Sequence, residues 1–122
     1  MERVEKAVEY KHSGCNCCQA VLMAFEDELE LGGEQLKALG SGFGGGMGCM
    51  EATCGALVGA NMVLGMKNET GKPTTPQSRQ LLNDFEAACG ATICKELKGI
   101  GTGKVLCECD DCVRNAVRAL LK

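Results

Sequence analysis

The sequence predicts an all-α fold: one compact helical domain over residues 1–122, packed around a central buried helix and interrupted by a glycine-rich loop. Three observations carry that expectation. Apolar residues recur at helical spacing in segment after segment, and no segment alternates apolar and polar residues with period two for long. The length of 122 residues suits a single hydrophobic core and is too short for two substantial ones. No internal repeat is evident.

Val4, Ala7, Val8 and Lys11 place a short amphipathic helix over residues 2–11, stopped near Gly14. The next helix begins inside a run of cysteines. Its inner stripe is Cys18, Val21, Leu22, Phe25 and Leu29, and Gly32-Gly33 ends it. Glu26, Asp27, Glu28 and Glu30 then form a solvated face, because no ring of acceptors makes them a cation site. A weak helix over 34–39 leads into residues 40–48, where glycine is too dense for regular structure.

Residues 50–66 are apolar at nearly every angular position, which describes a helix buried on all sides. Gly55 and Gly59 lie on one face of it. Each costs about 1 kcal/mol of helix propensity against alanine, and close backbone packing is the compensation. After a polar loop over 67–75, a helix opens either with Thr75 as cap and Pro76 first, or with Thr74 as cap and Gln77 closing a capping box. Its inner stripe is Leu81, Leu82, Phe85, Ala88 and Cys89, and Gly90 closes it. A short turn over 93–97 and a loop through Gly99, Gly101 and Gly103 follow. The last helix starts at Asp110 or Asp111 and buries Val113, Ala116, Val117, Leu120 and Leu121.

A formal charge of -3 and four aromatic residues (Tyr10, Phe25, Phe43, Phe85) argue against a nucleic-acid partner. Residues 1–6 are charged from the second position and lack the apolar run of a signal peptide, so a cytoplasmic location is expected. The most apolar stretch, residues 52–66, is shorter than the about 20 residues a membrane helix needs, which argues against membrane insertion. Ten cysteines without a secretory signal favour metal binding or redox chemistry over a disulfide scaffold.

Those cysteines fall in four groups: Cys15, Cys17 and Cys18; Cys49 and Cys54; Cys89 and Cys94; Cys107, Cys109 and Cys112. Each group lies at or near a helix end. Cys18 and Cys89 are in phase with apolar stripes, and Cys112 heads another, so several thiols should point into one core. A single cysteine is more often a small buried hydrophobe. Ten in four groups point instead to a buried thiol site or an iron-sulfur cluster held by thiolate sulfur. The backbone of the glycine loop, Gly44, Gly45 and Gly46 above all, could aim N–H groups at such a cluster or at an anion. The plainer reading is a flexible connection. A phosphate-binding loop does not fit, since neither this segment nor Gly101-Thr102-Gly103-Lys104 has the required spacing.

Asn16-Cys17-Cys18-Gln19-Ala20-Val21-Leu22, Gly42-Phe43-Gly44-Gly45-Gly46-Met47-Gly48, Cys54-Gly55-Ala56-Leu57-Val58-Gly59, Cys94-Lys95-Glu96-Leu97 and Cys112 at the head of the last helix form an ordered set. Over nearly the whole chain it resembles the C_GCAxxG_C_C family of redox-active proteins. The resemblance implies a helical fold and a redox role. It places the functional cysteines at Cys17, Cys54, Cys94 and Cys112, as ligands of a cofactor or metal, and implies an iron-sulfur cluster as the group they would hold. Two features depart from the pattern. Cys15 stands where an aromatic residue is expected, and six further cysteines (Cys15, Cys18, Cys49, Cys89, Cys107, Cys109) each lie within five residues of a family position. They are expected to line the same site.

Three functions are therefore weighed. The first is an iron-sulfur protein for electron transfer or redox sensing, working with a redox partner protein. The second is an oxidoreductase exchanging thiols and disulfides through Cys15/Cys18 or Cys109/Cys112, with no cofactor. The third is a zinc-binding structural or storage protein. His12 reads as a solvated loop residue, and its neighbour Ser13 gives no catalytic triad. A homo-oligomer stays open.

Overall fold

In the computed structural model, which describes residues 2–122, every regular element is helical. The described residues form seven α-helices and one isolated antiparallel bridge, Thr53 to Ile93. None of these helices is long and apolar enough to cross a membrane.

The first helix, α1 (Arg3–His12), buries Val4, Ala7 and Val8, as its pattern predicts. Helix α2 (Cys17–Ala24) opens on a full capping box. The Asn16 side chain accepts the Gln19 amide at 2.8 Å, while the Gln19 side chain accepts the Asn16 amide at 2.9 Å. Such a cap is worth about 1 kcal/mol. Every residue of α2 from Ala20 to Ala24 is buried.

The sequence pattern carried α2 on to Leu29, but it stops at Ala24. The cause is Arg3. Its guanidinium donates to the Ala24 carbonyl, pairs with Asp27 and Glu28 at 2.7 Å each, and lies 4.6 Å over the Phe25 ring. Lys67 pairs with Glu28 as well. These charges draw Glu26–Glu28 into a 3-10 turn. The acidic run lies at the surface, as a solvated face does, with Asp27 and Glu28 of its four acids also paired to the two cations. Gly32 likewise does not end a helix but precedes α3 (Gly33–Gly40), its amide donating to the Gln35 side chain at 3.0 Å.

Helix α4 (Gly55–Lys67) is central, packed on α2, α5 and α7. It begins later than its apolar run. Residues before it run alongside the start of α6 (Cys94–Lys98): the Cys54 amide donates to the Thr92 carbonyl at 2.8 Å, and the Cys94 amide to the Ala52 carbonyl at 3.0 Å. Gly55, Ala56, Leu57, Gly59, Ala60 and Val63 are buried, whereas the last turn emerges into solvent. Gly55 lies against the Phe43 carbonyl and Gly59 against Cys18, so the two glycines do bring backbones together.

Helix α5 (Thr75–Cys89) starts after Thr74, but the Thr74 side chain makes no capping bond. Leu81, Phe85 and Cys89 face inward, while Ala88 is exposed. Gly90 closes the helix at φ 97°. Helix α7 (Cys109–Leu120) begins one residue before Asp110 and buries Cys112, Val113, Ala116 and Val117, leaving Leu121 exposed. It docks beside α1 through Arg114–Glu5 at 3.0 Å and His12–Asp110 at 2.7 Å.

Candidate functional site

Cys17, Cys54, Cys94, Cys107, Cys109 and Cys112 line one small cavity of about 10 Å³, together with Gly45, Gly55, Leu97 and Lys98. Helix starts do most of the positioning. Cys17, Cys94 and Cys109 are the first residues of α2, α6 and α7, and Cys54 immediately precedes α4. Free N–H groups and the positive end of a helix dipole favour thiolate at such positions. Cys112 follows Cys109 by one turn. Cys89, the last residue of α5, reaches Cys112 and Cys107 from behind.

The thiols form two linked groups. In the outer group, Cys17 and Cys109 are half-buried neighbours on the cavity wall, each shifting the other's ionisation. The Cys17 thiol and the Lys98 and Lys11 ammonium groups bring Cys109 down to about 6 against the pull of burial, while Cys17 is driven up by Cys109 and by burial. One proton therefore stays on Cys17 and negative charge collects on Cys109. Lys98 also faces Cys94, whose thiol burial pushes up.

The inner group is Cys54, Cys89, Cys107 and Cys112, all buried. The Cys112 thiol donates to the Cys107 carbonyl at 3.7 Å, and its neighbours Cys54 and Cys89, with burial, hold it protonated. Cys54 is lowered by Cys112 and by the Ala56 and Leu57 amides. Cys89 falls to about 6, first through Cys112, then through Asn115 and Cys107. Burial pushes Cys107 up to about 12. The sulfurs of Cys89, Cys107 and Cys112 lie within 4.8 Å of one another, close enough to share a metal ion.

The glycine loop forms one wall. Its backbone turns left-handed at Gly45, Gly46, Met47, Gly48 and Met50. Gly46, at φ 61°, lies so close to α6 that a Cβ there would stand 2.6 Å from the Cys94 Cβ. Gly45 lines the cavity, whereas Gly44 packs on the Asn16 side chain. The loop is a hydrogen-bonded turn, with the Ala52 amide reaching back to the Gly46 carbonyl at 3.4 Å.

Cys17, Cys54, Cys94 and Cys112 thus meet at one cavity, joined by Cys107 and Cys109, with Cys89 behind. The other three cysteines lie elsewhere. Cys18 is in the core beneath Cys54, its thiol 3.9 Å from the Met62 sulfur, and burial pushes it up to about 12. Cys15 opens onto a separate groove with Lys6, Glu9, Tyr10, Ser13 and Lys37. Cys49 is exposed at the turn. Their proximity in sequence does not place them there, because Cys15 precedes α2 and Cys49 belongs to a left-handed turn that points outward. His12 is an exposed partner of Asp110. Two contributors escaped the sequence reading. Lys98 is four residues from Cys94 on one helical face, a spacing that could have revealed it. Asn115, whose amide donates to Cys89 at 3.3 Å, is three residues from Cys112.

Apart from Lys98, the side-chain donors facing the cavity are all sulfur, a set that suits soft cations and iron-sulfur clusters. The space holds about one water-sized sphere. A single ion fits it as it stands, while a cluster requires the thiols to swing outward. Fold and site together define a helical protein with a buried cage of thiols. The chain belongs to the family described as putative redox-active protein (C_GCAxxG_C_C), which matches residues 15–122. Comparison with curated proteins and with solved structures gives no match.

Proposed function

We propose that this chain is a cytoplasmic iron-sulfur protein, binding its cluster through Cys17, Cys54, Cys94 and Cys112 and exchanging electrons with a protein partner, in transfer or sensing. The observation that carries the reading is the meeting of these cysteines, from four separate segments, at one cavity with sulfur as its prevailing donor. A bound cluster supplies one-electron chemistry. The protein's own part is to present thiolates at helix starts, to offset their charge with Lys98, and to limit water with Leu97 and the Gly55 backbone. Anaerobic purification followed by iron and acid-labile sulfide analysis tests it. Coloured protein with both elements is expected, with iron lost in Cys54→Ser and Cys94→Ser while far-UV helicity persists. Colourless, iron-free protein overturns the reading.

A second reading rests on the contact between Cys17 and Cys109, the two half-exposed thiols of the cage, with Lys98 beside them. In thiol-disulfide exchange Cys109 attacks a partner disulfide and releases one thiolate. Cys17, giving up its proton, then attacks the Cys109 sulfur and displaces the second, so the pair loses two electrons and one proton, and the partner becomes two thiols with that proton and one from solvent. A mixed disulfide trapped on Cys109 in Cys17→Ser would favour this function, and its absence would remove it.

A further inference from the structure

We infer that in the cluster-free protein Cys89, Cys107 and Cys112 form a mononuclear site for a thiophilic divalent cation of the zinc class, sharing only Cys112 with the proposed cluster set. Two of its three ligands lie outside the four family positions, so nothing in the cluster reading calls for them. All three side chains are buried, and their sulfurs lie within 4.8 Å of one another. A tetrahedral ion with bonds of about 2.3 Å needs sulfurs about 3.8 Å apart, so closure asks each sulfur to move by less than about 1 Å.

The surroundings are built for charged sulfur and not for three packed hydrophobes. Asn115 directs its amide nitrogen at Cys89, 3.3 Å away, and at Cys107, 4.0 Å away. Its orientation is fixed because the Asn115 carbonyl oxygen accepts from Arg118 at 3.2 Å. An outer donor of this kind stabilises thiolate ligands. Cys107 is fixed in turn: its amide and that of Leu106 both donate to the Leu97 carbonyl, at 3.2 and 2.9 Å. A groove of about 360 Å³ outside Cys107 and Asn115, lined by Glu108, Asp111 and Arg118, gives a cation an approach other than the main cavity. Water from that groove completes a four-coordinate ion. Cys112 faces the main cavity as well, so binding is best measured on iron-free chain.

The test is anaerobic titration of the reduced, iron-free full chain with Cd²⁺, followed by its sulfur-to-metal charge-transfer absorption and by competition with a chelator. A tight equivalent that depends on both Cys89 and Cys107 is expected, whatever further Cd²⁺ the main cavity takes up. Cys89→Ser and Cys107→Ser should each weaken it by about 100-fold or more, and Asn115→Ala by about 10-fold, the range of an outer-sphere partner. Cys15→Ser and Cys49→Ser should leave it unchanged. Cys94→Ser separates the two proposals: it should lose iron in the cluster assay and keep its Cd²⁺ affinity here. No tight equivalent, or affinity unaltered in both Cys89→Ser and Cys107→Ser, or affinity lost to the same degree in Cys94→Ser, overturns the site. Should the buried serine variants unfold by circular dichroism, Asn115→Ala at its partly exposed position decides, with a 10-fold weakening supporting the site and unchanged affinity defeating it.

Discussion

Gly59 of α4 rides directly on the backbone of Cys18 in α2: a Cβ added to Gly59 would stand 2.8 Å from the Cys18 carbonyl oxygen and 3.2 Å from its Cα. Because the obstruction is helix backbone, relief requires α2 and α4 to separate, and Cys17 and Cys54 move with them.

Gly59→Ala should therefore destabilise the protein by about 2 kcal/mol, the overpacking cost exceeding the about 1 kcal/mol that alanine gains in helix propensity. Gly65, on the same helix, has open space where its Cβ would go. Gly65→Ala should stabilise by about 0.5–1 kcal/mol. Urea unfolding of the two reduced variants gives both numbers, and equal effects would mean that the α2–α4 contact is not tight.

Cys109 should be the cage thiol that alkylates first in reduced, metal-free protein. Its thiolate forms with a midpoint of about 6, so labelling should rise through that pH and level off above it. Cys17, held protonated by Cys109 and burial, should label only at alkaline pH. Lys98→Met removes a positive charge that favours the Cys109 thiolate, so the midpoint should move upward and labelling at pH 6 should slow several-fold. Mass-spectrometric mapping of briefly labelled protein reads this out; an unmoved midpoint in Lys98→Met would remove the lysine from the account.

Air oxidation of the same material should join cysteines remote in sequence. Cys17–Cys109 is expected first, being both in contact and half-exposed, followed by bridges among Cys54, Cys89, Cys107 and Cys112. Cys49, exposed on its turn, should instead link two chains, and Cys49→Ser should abolish that dimer. Peptide mapping after thiol blocking would contradict the cage if the bridges fell only within groups such as Cys15 to Cys18.

Helices α1 and α7 were legible because each has one wet face and one dry one, and the period of that contrast is local information. The end of α2 was not, since it depends on Arg3, a residue 21 positions away from Ala24 that no window over α2 contains. The cysteine groups could be read as groups, and the family positions could be picked out within them. Which sulfurs touch could not. Cys17 meets Cys109 only because α2 and α7 begin at the same end of the bundle, and Cys15, two residues earlier, falls on another face. Spacing confines a residue to a neighbourhood but does not aim its side chain.

The segment from Cys107 through α7 contributes three thiols to the cage, and α7 is made after the six other α-helices described. Cys17, Cys54 and Cys94 must wait, reduced and unshielded, until that segment docks against α1 and closes a loop spanning most of the chain. A group held by all of these thiols is accordingly loaded only after α7 has been made and has docked. The same geometry makes undocking of α7 a single event that withdraws Cys109 and Cys112 together, while Cys107 stays tied to Leu97, so the residence time of a group held by those two thiols is bounded by the opening rate of one helix, a quantity that amide exchange along α7 measures.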